Sequence, residues 1–77
     1  MSRVLIIDDD EMMCATLSKL VKRAEHIATC ANSCAEGLSA ANAEDFDVVF
    51  LDVRLPDGNG LDLLPKIEAT ASAPEVI

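Results

Sequence analysis

Val48-Val49-Phe50-Leu51-Asp52-Val53-Arg54-Leu55-Pro56-Asp57-Gly58-Asn59-Gly60 is the stretch that decides the fold. Its first four residues are all apolar. A half-solvated strand would alternate, so this run suits a strand buried on both faces, as in a parallel sheet. The run stops at Asp52, and the Pro, Gly and Asn that follow punctuate a loop. Near the N-terminus the pattern occurs a first time, with Val4-Leu5-Ile6-Ile7 running straight into Asp8-Asp9-Asp10.

Working outward, Glu11 to Glu25 has helical spacing. Met13, Leu17, Leu20, Val21 and Ala24 share one face, and Lys19, Lys22 and Arg23 lie away from it, toward the end where cations suit the helix dipole. Ile27 to Ala31 is a more polar strand that suits a sheet edge. Ser33-Cys34-Ala35-Glu36 fits a capping box, opening a helix that carries Ala35, Leu38 and Ala41 inward and fades near Glu44. Beyond the loop, Leu61 to about Ala69 reads as a third helix, with Pro65 expected to kink it or delay its start. Pro74-Glu75-Val76-Ile77 opens another strand.

Strands alternating with helices predict a parallel α/β sheet. With the second and third strands on either side of the first, right-handed crossovers put the first helix on one face and the other two on the opposite face. The first and third strands then flank a topological switch point, with a crevice at their carboxyl ends. Asp8, Asp9 and Asp10 end one strand and Asp52 the other, so four carboxylates are expected on or beside one crevice. An all-oxygen cluster of like charge selects a hard divalent cation, Mg²⁺ ahead of Ca²⁺ when waters complete the shell.

Composition narrows the function. The 77 residues carry 14 acidic and 6 basic side chains, a net charge of −8. That balance disfavours direct nucleic-acid binding and anionic membrane surfaces. No apolar run is long enough to span a bilayer, and Met1-Ser2-Arg3 leads into too short an apolar run for a signal peptide, so a cytoplasmic location is expected. Cys14, Cys30 and Cys34 form no C-x-x-C pair, and the one histidine, His26, offers them no zinc partner. Free thiols are expected, with Cys30 and Cys34 as small buried apolar residues, and His26 as a turn residue at a helix end.

The two motifs together, Val4-Leu5-Ile6-Ile7-Asp8-Asp9-Asp10-Glu11 and Val48 through Gly60, resemble the receiver domain of bacterial two-component response regulators. The resemblance covers the whole chain. It implies a three-layer flavodoxin-like fold with strand order 2-1-3 and a stub of the fourth strand. It implies that Asp52 accepts a phosphoryl group from a sensor histidine kinase or phosphotransfer protein. Mg²⁺ would be held by Asp9 and Asp52 directly, by Asp8 through water and by the Arg54 backbone carbonyl, while Pro56 and Gly60 shape the loop. On this reading the protein is not a conventional enzyme but an acceptor with self-catalysed phosphotransfer, regulating transcription through a domain outside these residues. Residues 1–77 correspond to the N-terminal two-thirds of such a domain, without the switch Ser/Thr and the Lys of its later strands. The first helix is then expected to cover only half its face of the sheet, and the bare apolar edge to favour self-association or strand exchange.

Two other readings compete. Asp8-Asp9-Asp10 satisfies the D-x-D nucleophile motif of haloacid-dehalogenase-type phosphohydrolases, with Asp8 and Asp10 as the paired carboxylates, but Met12 stands where that family has Thr or Val. The chain could also be an interaction module that works without phosphorylation. Asp57-Gly58-Asn59-Gly60-Leu61-Asp62 lacks the alternating oxygens and closing Glu of a Ca²⁺ loop.

Overall fold

Arg3–Ile7 forms strand β1 at the centre of the sheet. The computed structural model describes all 77 residues. β1 pairs in parallel with β2 (Ile27–Ala31) on one side and with β3 (Val48–Leu51) on the other. A short strand at the end, β6 (Glu75–Val76), adds in parallel outside β3, giving the order β2-β1-β3-β6. The three helices are α1 (Glu11–Arg23), α2 (Cys34–Ala43) and α3 (Gly60–Glu68). The expected α/β architecture and strand order hold.

Side-chain alternation along β1 divides the core between the two faces. Leu5 and Ile7 join Ala31, Ala41, Phe46, Val49, Leu55, Leu63 and Ile67 beneath α2 and α3. Val4 and Ile6 join Cys14 beneath α1, with Leu17, Val21, Ala28, Val48 and Phe50 packed around them. α1 covers its face alone, as expected. Beside it runs an open groove of about 390 Å³, lined mainly by Val4, Leu17, Leu20, Val21, Val48 and Phe50.

Several local expectations are corrected. In α1 the buried residue is Cys14, while Met13 and Leu20 are 45% and 56% exposed and Ala24 is also exposed. The helix packs over β1 and β2, and its groove-side residues meet no covering element. α1 also stops at Arg23, and Glu25 takes a left-handed φ of 65° in the turn that follows. In α2 Gly37 and Ala41 are buried and Leu38 packs against the same core as expected, but Ala35 is exposed. A Cβ on Gly37 would lie 2.7 Å from Ile7 Cδ1, so glycine lets this helix approach the sheet. Half of the capping box is present: Ser33 Oγ accepts the Glu36 N–H. The Glu36 carboxylate reaches past Ser33 and accepts from Asn32 N instead.

α3 begins at Gly60, capped by Asn59 Oδ1 on the Leu61 N–H, and Pro65 does not delay it. Pro65 is exposed and forgoes only its own N–H. The segment expected to be plain loop contains a tight antiparallel hairpin. In it β4 (Arg54–Leu55) pairs with β5 (Gly58–Asn59) across Pro56-Asp57. Cys30 is exposed and Cys34 half-buried, contrary to expectation. His26 lies in the turn after α1 as expected, and its Nδ1 accepts the Ser2 N–H at 2.8 Å.

Candidate acidic metal centre

β1 and β3 end level with each other, Ile7 opposite Leu51. The residue after each run is therefore presented at the same edge. Asp52 N donates to Ile7 O at 2.9 Å, and Asp8 N donates to Ala31 O at 2.9 Å, which pins both backbones at the carboxyl ends of the strands. Carboxylate oxygens of Asp8, Asp9 and Asp52 all lie within 4.8 Å of one another. Asp8 and Asp52 are half-buried and Asp9 is exposed.

The expected fourth carboxylate is not in this group. Asp10 is the N-cap of α1, and its Oδ1 accepts from Met12 N at 2.9 Å and Met13 N at 3.3 Å. A carboxylate there satisfies orphan helix donors and meets the positive end of the dipole. This engagement removes the Asp8/Asp10 pairing on which the D-x-D reading depended.

Local hydrogen bonds orient two of the three. Asp8 Oδ1 accepts the Asp10 N–H at 2.9 Å, and Asp52 Oδ1 accepts the Arg54 N–H at 3.3 Å. Arg54 thus meets Asp52 through its N–H, from the first residue of β4. No Lys or Arg forms an ion pair with the trio. The chain's one ion pair, Arg3–Glu44 at 3.5 Å, involves the opposite end of β1. Three anions are gathered with no cationic side chain paired to them, and the donor set is entirely oxygen.

The hairpin and α3 wall this edge. A Cβ on Gly60 would lie 2.0 Å from the Asp52 carbonyl oxygen, so only glycine lets α3 start against the Asp52 backbone. The Gly60 N–H donates to Val53 O at 2.7 Å. Asp57, at the hairpin tip, was expected to be only a loop residue. Its two carboxylate oxygens accept from Cys34 N at 2.7 Å and Ala35 N at 3.0 Å, clamping the first turn of α2. The Cys34 N–H, then that of Ala35, holds the Asp57 carboxyl below its ordinary 3.8. In turn the Cys34 thiol is raised above its ordinary value, by burial first and then by the charge of Asp57. Cys14 is pushed up to about 12, by burial first and then by the neighbouring Cys30 thiol. The Cys14 thiol also donates to Asp8 O at 3.6 Å, so α1 touches the turn that carries Asp8 and Asp9.

Comparison with known proteins identifies the family to which this fold belongs. The model of the response regulator receiver domain matches residues 4–77. The chain belongs to the response regulator receiver family. This receiver is 37% identical over 65 residues to the sensory/regulatory protein RpfC of Xanthomonas campestris, covering 84% of this chain and 9% of RpfC. It is 32% identical over 69 residues to the alginate biosynthesis transcriptional regulatory protein AlgB of Pseudomonas putida, covering 90% of this chain and 15% of AlgB. A crystal structure of a response regulator protein from Burkholderia pseudomallei, with a phosphorylated aspartic acid, calcium ion and citrate, superposes with a TM-score of 0.92 at 26% identity. The match covers 99% of this receiver and 45% of that chain. The receiver therefore spans less than a sixth of the two curated relatives. None of its helices is long and apolar enough to cross a membrane.

Proposed function

We propose that residues 1–77 act as a phosphoacceptor receiver unit, with Asp52 taking a phosphoryl group from the phosphohistidine of a sensor kinase or phosphotransfer protein. The observation that carries this reading is the convergence of Asp8, Asp9 and Asp52 at the switch point with no cationic side chain paired to them. These residues fit Mg²⁺, which Asp9, Asp52 and the Arg54 carbonyl would hold directly and Asp8 through water. When bound, the ion supplies charge neutralisation between the carboxylates and the phosphoryl oxygens. The chain's own part is nucleophilic. Asp52 Oδ1 is held by the Arg54 N–H, leaving the other oxygen to attack phosphorus in line. The new P–O bond forms as the donor's P–N bond breaks, and the product is a hydrolysable acyl phosphate. The protein works as an acceptor of a timed mark rather than as a conventional enzyme.

Control of transcription through a further domain is supported by relatives such as AlgB. A kinase or phosphotransfer protein as partner, in a cytoplasmic setting, is supported by membership of the receiver family, and the −8 charge supports a role without direct nucleic-acid or anionic-membrane contact. The test is intact mass after incubation with Mg²⁺ and acetyl phosphate. One added phosphoryl group is expected, lost in hydroxylamine and absent both in Asp52→Asn and with a chelator. A folded sample that gains nothing overturns the reading.

The open groove beside α1 supports a second reading, in which the chain associates with a copy of itself through that face and its sheet edge. Sedimentation showing a folded monomer across a wide concentration range would dismiss it.

A further inference from the structure

Two thiols lie along the seam between α1 and β2. Cys14 and Ser18 are one turn apart and share a face of α1. Cys30 and Asn32 are two residues apart and share a face at the end of β2. Ser18 Oγ lies 3.3 Å from Cys30 Sγ, and Asn32 Nδ2 lies 4.0 Å from Cys14 Sγ. Ile6 is in register with Cys30 and shares the small core with Cys14, so these crossed contacts place the two thiols on the same side of the sheet at one seam. Cys14 is buried at 5% exposure, while Cys30 is open to solvent. Cys34 packs with the core on the other face of the sheet, so the sheet separates it from both.

We infer that Cys14 and Cys30 form a redox modification site, in which a hydroperoxide-class oxidant joins α1 to β2 through an intramolecular disulfide. Cys30, the exposed thiol, reacts first. Its sulfur takes an oxygen from hydrogen peroxide as the O–O bond breaks, giving a sulfenic acid and one water. Cys14 sulfur then attacks Cys30 sulfur. The S–O bond breaks, the S–S bond forms, and the Cys14 proton leaves with the hydroxyl as a second water. The two thiols lose two electrons together, and the peroxide is reduced to two waters. A dithiol reductant reverses the bond by exchange. Closure withdraws the Cys14 hydrogen from the Asp8 carbonyl, so the bond forms within reach of the acidic trio. The proposal stands independently of phosphorylation at Asp52.

The test is intact mass and non-reducing peptide mapping of the full chain after mild hydrogen peroxide, then after dithiothreitol. The expected product is a monomer lighter by two hydrogens, with the Cys14 and Cys30 peptides linked, fully restored by the reductant. Cys34→Ser should give the same product, and Cys30→Ser should not. Cys30→Ser alters an exposed residue, so its result does not depend on disturbing the buried Cys14. The oxidised monomer should also melt above the reduced one, because the bond closes a loop in the unfolded chain. Stepwise oxygen addition at Cys30 without a linked pair overturns the proposal. So does a bridge through Cys34, or a product found only as a disulfide-linked dimer.

Discussion

Asp52 stands among like charges, and that arrangement has a cost which can be measured. Two unit charges about 4 Å apart repel by ~1 kcal/mol in bulk water and by more near a protein surface. Asp52→Asn should therefore raise stability in chelator, by about 1 kcal/mol, and should shrink the rise in Tm that Mg²⁺ gives the parent. Thermal melts with and without Mg²⁺ check both statements. A variant less stable than the parent in chelator would speak against a shared site. Gly60 makes the opposite case. Its missing Cβ is what lets α3 begin against the Asp52 carbonyl without a clash. Gly60→Ala should cost about 1–3 kcal/mol in urea unfolding, despite alanine's better helix propensity, because backbone cannot yield as a flexible side chain does. An unchanged midpoint would mean that the loop and α3 separate at little cost.

At the scale of elements, the Asp57 clamp makes α2 depend on a hairpin far from it in sequence. The folded carboxyl sits below its ordinary 3.8, so its contribution is complete above that value. It is lost as pH falls through the depressed folded value. Acid unfolding of the wild type should thus steepen below pH 3.8 relative to Asp57→Asn, whose cap does not titrate. Superimposable acid limbs would count against the clamp. Neither the clamp nor the hairpin was legible in the sequence. A two-residue ladder leaves no periodicity to read, and a capping carboxylate brought from another loop leaves no local signature. β1, β3 and the carboxylates at their ends were legible, because continuous apolar runs broken by acid say both what is buried and where it stops. The helix faces were half legible. Hydrophobicity placed Leu17 and Val21 inward. It also placed Met13 and Leu20 there, although both are exposed, Leu20 on the groove and Met13 near Asp8 and Asp52, and it passed over Cys14, whose small size suits the closest approach. Asp10 was counted with its neighbours because three consecutive aspartates do not show which of them caps a helix.

At the scale of the molecule, the two faces are unequally covered, with a larger core under α2 and α3 and a smaller one beneath α1. Phe50 is the largest side chain lining the open groove. Phe50→Ser should weaken any concentration-dependent association seen by sedimentation. It should leave Mg²⁺-dependent stabilisation in place, because Phe50 belongs to the groove side of β3 rather than to the carboxylate trio. The central position of β1 reaches further. Arg3–Ile7 hydrogen-bonds on one flank to a strand that begins at Ile27 and on the other to one that ends at Leu51. During synthesis β1 is made before either of its neighbours, and it gains the second only once the chain has been extended as far as Leu51. For that interval the most apolar part of the chain has nowhere to hide, and it is where a nascent-chain chaperone would find its grip.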